Sequence, residues 1–162
     1  MRIGILSDTH DQLDRTLVAV EILRTAGVDV LVHCGDLIET NIVAACAVLP
    51  CYFVFGNNDC DMVPFLKQSA VDAGVTCLGW GGVFELAGKR IGVVHGHLTA
   101  DIRRVLKDRP DYLLSGHSHV AHDYREGGVR HINPGALYRA REFSVAMLDL
   151  ESDLLQFLPV PR

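Results

Sequence analysis

Five short apolar runs in this 162-residue chain each stop at a polar turn that carries aspartate, asparagine or histidine. "IGIL" (3–6) runs into Ser7, Asp8, Thr9 and His10, and "VDVLVHC" (28–34) into Gly35 and Asp36. "YFVF" (52–55) meets Gly56, Asn57, Asn58 and Asp59; "IGVV" (91–94) meets His95, Gly96 and His97; "YLLS" (112–115) meets Gly116, His117, Ser118 and His119. Runs of Val, Ile and Leu this short read as strands buried on both faces. Where helices join them, the strands pair in parallel through right-handed crossovers. Their carboxyl ends then share one edge of a sheet, which is where open α/β sheets bind ligands.

The intervening segments fit that pattern. Asp11 offers an N-cap for a helix with Leu13, Leu17 and Val20 on one face and Gly27 at its close. Thr40 or Asn41 opens a shorter helix that Pro50 terminates. Asp61 can cap a third helix running toward Gly74, with Pro64 in its first turn. Beyond residue 75 the pattern turns to short strands and glycine turns, with "AGK" (87–89) a hairpin candidate. Thr99 caps a helix ending before Pro110, and "VAHDYRE", "VRHIN", "EFSVAMLDL" and "LLQFLPV" read as further strands. The first half therefore predicts parallel β-α-β-α-β, and the second half mostly antiparallel hairpins. Together they predict one α/β domain over residues 1–162, a four-layer α/β/β/α sandwich of two mixed sheets flanked by helices.

Composition narrows the function. Twenty acidic residues against fifteen basic ones give a formal charge of −5, and aromatics are 7% of the chain, so no track for a long nucleic acid is expected. The densest basic stretch, "DIRRVLKDR" (101–109), is broken by acids and reads as a solvated helix face. No apolar run is long enough for a membrane span, and "MRIGILSD" is too short for a signal peptide. Five cysteines without CxxC spacing read as mostly buried thiols in a reducing compartment, so a cytoplasmic protein is expected.

The polar residues at the strand ends are carboxylates, imidazoles and carboxamides. Such mixed O/N donors suit Mn, Fe or Zn better than a structural thiolate site does. Asp-x-His and His-x-His put alternate side chains on the same side of an extended segment, so each pair can clamp one ion. Taken singly, an Asp after a strand is more often a cap or turn former, and a lone His such as His33, His122 or His131 is more often hydrogen-bonded and partly buried. Seven candidates converging from five strand ends are too many for one ion and enough for two.

The ordered set "SDTH", "HCGD", "GNND", "VHGH", "SGHSH" and "NPGAL" closely resembles the calcineurin-like metallophosphoesterases, in particular the small prokaryotic phosphodiesterases without a cap domain. The resemblance runs from residue 3 to about 149. It implies the same four-layer sandwich and two divalent metal ions, with manganese favoured and Fe, Ni or Zn as alternatives. It further implies that Asp8, His10 and His119 hold one metal, that Asn57, His95 and His117 hold the other, and that Asp36 bridges them. The activity implied is hydrolysis of a P–O ester by a metal-bridging hydroxide, on a small phosphodiester or phosphomonoester.

Asn58 departs from the family pattern. Many members carry His there to assist the leaving group, and the small phosphodiesterases often carry another residue, frequently Cys. An asparagine donates a hydrogen bond but is no general acid at neutral pH. His97, one residue past the ligand-bearing turn, is the remaining histidine expected to contact substrate. Asp59, His33 and Asn133 are expected to support the ligand loops. Two other readings compete: a protein-interaction scaffold on the same fold, as in a retromer subunit with a depleted metal site, and a phosphomonoesterase or phosphoprotein phosphatase. The complete ligand set favours an enzyme. Edges of antiparallel strands such as "VAHDYRE" could pair across a homo-oligomer.

Overall fold

A computed structural model describes residues 1–162. The β-α-β-α-β start is present: β1 (Arg2–Leu6), α1 (Leu13–Thr25), β2 (Val30–His33), α2 (Thr40–Cys46) and β3 (Cys51–Phe53). A 3-10 segment (Asn57–Met62) then leads into α3 (Val63–Ala73) and the two-residue β4 (Thr76–Cys77). The rest is β5 (Gly81–Leu86), β6 (Lys89–Val94), α4 (Thr99–Lys107), β7 (Tyr112–Leu114), β8 (His122–Glu126), β9 (Val129–Asn133), β10 (Phe143–Asp149) and β11 (Leu154–Val160).

The strands form two mixed sheets, one of order β11-β10-β1-β2-β3-β4 and one of order β5-β6-β7-β9-β8. In the first, β1 to β4 are parallel and the chain returns through the antiparallel β10 and β11. The second departs from the expected run of hairpins. Its centre, β6-β7-β9, is parallel, and the hairpins β5-β6 and β8-β9 form its edges. Two crossovers are the reason: α4 returns the chain parallel to β6, and the connection through residues 115–128, which holds β8, returns it parallel to β7. The "AGK" hairpin is as expected: Ala87 and Gly88 both have positive φ between the paired Leu86 and Lys89, the geometry of a two-residue turn that matches strand twist.

Alternation along the strands sorts side chains into layers. Leu31, Phe53, Val145 and Met147 pack with Ala19, Leu23, Ile42 and Leu66 in a cluster of 21 buried residues between the first sheet and helices α1, α2 and α3. Ile3, Ile5, Val32, Ala146 and Leu148 point the other way and meet Ile91, Val93, Leu114 and Ile132 between the sheets. Tyr52 and Phe84 stack across that gap, ring centroids 3.9 Å apart. On the far face, Val105 of α4 covers Val94 and Leu113. The layers are thus helices, sheet, sheet, helix. No helix is long and apolar enough to cross a membrane.

Three helix starts differ from expectation. Asp11 is not the cap of α1: it sits in left-handed backbone (φ 57°), and Gln12 precedes the helix without a side-chain cap bond. The helix consequently buries Thr16, Ala19, Val20 and Leu23, while Leu17 faces outward. Asp61 lies inside the 3-10 segment, and α3 begins at Val63 with Pro64 in its first turn and left-handed Gly74 at its end. Leu98 holds the N-cap position of α4, with Thr99 its first helical residue.

Gly92 lets α4 approach β6, since a Cβ there would lie 2.7 Å from Val105 and 3.2 Å from Pro110. Gly92→Val is expected to destabilise the fold by about 1–3 kcal/mol through overpacking, measurable as a lower urea midpoint with unchanged slope.

Candidate metal centre at the strand ends

The five polar turns meet at one edge, where the carboxyl ends of β1, β2 and β3 from one sheet face those of β6 and β7 from the other. The loops are knitted by main-chain bonds: Asp8 N to Gly35 O (3.0 Å), His10 N to Asp36 O (3.0 Å) and Gly116 N to His95 O (2.9 Å). Two glycines permit the crowding. A Cβ on Gly56 would overlap the Asp36 carboxylate, and one on Gly116 would overlap the Ser7 hydroxyl.

Asp8 and Asp36 sit at the centre, both almost wholly buried. Ligand atoms of Asp8, His10 and His119 lie within 4.8 Å of one another, and so do those of Asp8, Asp36 and His95. His119 Nε2 is 3.2 Å from Asp8 Oδ1, and His10 Nε2 and His95 Nε2 are 3.3 Å and 3.4 Å from Asp36 Oδ2. Asn57 Oδ1 joins the second group, 3.2 Å from His95 Nε2. The His117 ring stands edge-on to His95 at 5.1 Å, at the rim of that group, and its backbone N–H donates to Asp8 Oδ2 (3.0 Å).

Several features show that these groups are aimed at something other than each other. Asp8 Oδ1 and His10 Nε2 are buried without a hydrogen-bond partner; His10 Nε2 is close to Asp36 but misaligned for a bond. Asp8, His10, Asp36, His117 and His119 all hold left-handed backbone, with φ between 43° and 67°. Such conformations cost about 1–3 kcal/mol each in a non-glycine residue and persist where surrounding structure imposes them, typically at ligand clamps. Divalent cations fit this donor set: carboxylate oxygens, imidazole nitrogens and one carboxamide oxygen converge, and the orphaned atoms supply lone pairs.

The surrounding residues hold the donors in place. His95 directs Nδ1 to Cys34 O (2.8 Å), leaving Nε2 toward the centre. Burial alone would raise the Asp36 carboxyl, but the His10 and His95 imidazoles and the Asn58 amide outweigh it and hold it well below the usual carboxylate range. The buried Asp59 carboxylate accepts from the backbone N–H of Asp36 (2.9 Å), Ile38 (2.7 Å) and Gly56 (2.7 Å), tying two ligand loops together. Asn133 donates to Gly116 O (2.8 Å) and Ser118 Oγ (3.1 Å), steadying the loop of His117 and His119.

Asn58 and His97 are placed differently. Asn58 directs its backbone N–H to Asp36 Oδ1 (2.9 Å) and its Nδ2 to Oδ2 (2.7 Å), so it grips the carboxylate from both sides. His97 stays outside both donor groups and lines a cleft beside Asn57. Burial, with the neighbouring His95 and His117, lowers its pKa. His122 and His131 lie on β8 and β9, each ring against Tyr124.

A sequence model described as the calcineurin-like phosphoesterase superfamily domain matches residues 1–153. The chain belongs to that superfamily. With membership comes the hydrolase class, acting on phosphate esters. A phosphodiesterase of Methanocaldococcus jannaschii is 28% identical over 145 residues, spanning 83% of each chain. A probable metallophosphoesterase of Bacillus subtilis, YsnB, is 32% identical over 165 residues, spanning 94% of this chain and 86% of the relative. Among solved structures, an archaeal phosphodiesterase superposes with a TM-score of 0.88 at 26% identity, covering 99% of this chain and 100% of the other.

Sequence reasoning passed over Ser7, whose hydroxyl donates to Asp8 Oδ2 (2.7 Å), and Tyr138, whose ring lies 4.6 Å from that of His10. It also passed over Trp80, which stands in the cleft beside His97. The available signals were that Ser7 opens the "SDTH" motif and that Tyr138 directly follows "NPGAL".

His33 anchors the floor of the site: Gly35 N–H donates to Nδ1 (3.2 Å), so Nε2–H is left to donate to Thr9 Oγ1 (3.1 Å). Burial, reinforced by His95, pushes its pKa down to about 3. Because the unfolded chain protonates near 6.5 and the folded chain does not, the unfolded state binds the extra proton between those values. Stability is therefore full above about pH 6.5 and falls as pH drops, by about 2 kcal/mol between pH 7 and 5 from this group alone. His33→Gln is expected to flatten that part of the profile, read from urea unfolding at several pH values.

Proposed function

We propose that the chain is a dinuclear-metal-dependent phosphodiesterase acting on small phosphate diesters. The observation that carries this reading is the pair of donor groups that meet at the buried Asp8, one of them containing Asp36, with the Asp8 Oδ1 and His10 Nε2 atoms left unpartnered. Asp8, His10 and His119 would hold one ion, Asn57, His95 and His117 the other, and Asp36 would lie between. Mixed oxygen and nitrogen donors favour manganese, with Fe, Ni and Zn competing for the same set. When bound, such ions would supply Lewis acidity toward the phosphoryl oxygens and would acidify a water molecule.

The chain's own residues prepare that chemistry. Asp36 neutralises cationic charge at the centre, and Asn58 fixes the plane of its carboxylate. Asn58 carries no ionisable proton, so protonation of a poor leaving group is not assisted from that position. His97 stands at the mouth, neutral and able to hydrogen-bond an ester oxygen. The five free thiols support a reducing compartment, the cytoplasm, as the place of action. A relative named as a phosphodiesterase over most of its length supports the diester preference.

Hydrolysis of bis(p-nitrophenyl) phosphate should exceed that of p-nitrophenyl phosphate once Mn2+ is restored to chelator-stripped protein. The reverse preference would make the chain a phosphomonoesterase, and no turnover with metal bound would favour an interaction role. Asp36→Asn should lower kcat/KM by more than about a hundredfold and reduce metal content with circular dichroism unchanged. Near-normal turnover would remove Asp36 from the centre. Asn58→His should raise turnover of alkyl esters more than of nitrophenyl esters, and equal effects would disconnect this position from leaving-group protonation.

A further inference from the structure

A cleft of about 720 Å³ opens beside Asn57 and His97, on the side of the centre away from His10. Its walls include Trp80, Leu98 and Cys60, with Asp101 and Arg104 at its polar end. Its volume falls within the roughly 300–1,000 Å³ typical of small-molecule sites. Trp80 is 37% exposed and Leu98 50% exposed, an arrangement that leaves apolar surface in water beside the catalytic edge.

Trp80 is not loose. Its ring stands against Phe55 at 5.4 Å and 62°, and Phe55 is wholly buried at the end of the β3 run. The next ring toward the centre is His97, 6.1 Å from Trp80 and 6.0 Å from His117. A continuous line of rings thus leads from the candidate metal centre into the cleft. The polar end is equally fixed: Arg104 donates to Gly81 O (3.1 Å) and to Asp101 Oδ1 (3.1 Å). The Arg104 charge is thus paired with Asp101 at that end, although its side chain stays half exposed. What the cleft offers is a fixed aromatic face and an aliphatic side chain, with the Asp101–Arg104 ion pair at its polar end.

We propose that this cleft receives a planar aromatic group of the substrate ester, with Trp80 as its stacking surface. The inference rests on the phosphodiesterase reading and adds the chemistry of one esterified group. When the phosphoryl group lies at the centre beside Asn57, an ester substituent directed to that side passes His97 and reaches Trp80. A flat ring stacked on Trp80, with Leu98 also lining the space, covers more apolar surface there than an alkyl chain or bare sugar does. A base carried on a sugar and an aryl alcohol both supply such a ring.

Trp80 is the only tryptophan in the chain, so its fluorescence reports the cleft directly. Metal-loaded protein is titrated with adenosine 5′-monophosphate, phenyl phosphate, ribose 5-phosphate and inorganic phosphate. Saturable quenching by either ring-bearing ester, absent with the last two, is the expected result, and the stronger of the two identifies the source of the ring. Equal responses to all four would overturn the proposal. So would no response to any, joined to a blue-shifted emission that grows with protein concentration, because a second copy would then cover the cleft.

The kinetic arm compares thymidine 5′-(2,2,2-trifluoroethyl phosphate) with ethyl 2,2,2-trifluoroethyl phosphate, which share a leaving group that carries no ring. Trp80→Ala should reduce the ratio of their kcat/KM values about tenfold, the scale of one lost base–aromatic stack. Trp80→Phe should restore most of that ratio, and a ratio unmoved by Trp80→Ala would overturn the assignment. If quenching is seen but no diester is hydrolysed, the phosphodiesterase reading fails and the ring-binding cleft stands.

Discussion

Two carboxylates, Asp8 and Asp36, are buried at the junction of the two sheets with oxygens within 4.8 Å of a shared imidazole nitrogen. Taking carboxylates out of water is costly unless they are hydrogen-bonded or meet positive charge, and two like charges this close make it costlier. Much of the local structure answers that constraint. Ser7 and His117 N–H satisfy Asp8 Oδ2, and the two Asn58 groups satisfy both Asp36 oxygens, while Asp8 Oδ1 keeps no protein partner. A divalent cation is the group that would complete the balance.

The scaffold makes such a concentration of charge tolerable by rigidity. The parallel strands β1, β2, β3, β6 and β7 are buried on both sides, so the turns at their ends inherit fixed positions. Those turns are then locked by buried polar side chains: Asp59 across the Asp36 and Gly56 loops, Asn133 beneath the His117 loop, His33 beneath Thr9. The left-handed backbone at five donor residues is the local cost, and the close-packed layers around it offset that cost.

Much of this was legible in the sequence because its signals are local. Apolar runs a few residues long mark strands whatever their partners, and Asp, Asn or His after a glycine turn stays at the strand end wherever the strand lies. The hairpin at Ala87 and Gly88 was legible for the same reason. The start of α1 was not: Asp11 has a good capping side chain, but its backbone N–H is drawn to Leu37 O in the neighbouring loop, and the helix begins two residues later. Nor was the parallel centre of the second sheet legible, since β6, β7 and β9 are too short for their sequences to specify direction.

The sequence by itself determined the layered α/β architecture and the chemical type of the site, because strand period and residue chemistry are properties of consecutive positions. Only the tertiary structure decided which donors face one another, that Asn58 is held on Asp36, and that Trp80 stands in line with His97 beside the centre. Those relations join residues from different strands and sheets. They depend on register, on the approach of two sheets and on where a buried carboxylate finds its hydrogen bonds, none of which is encoded within any one segment.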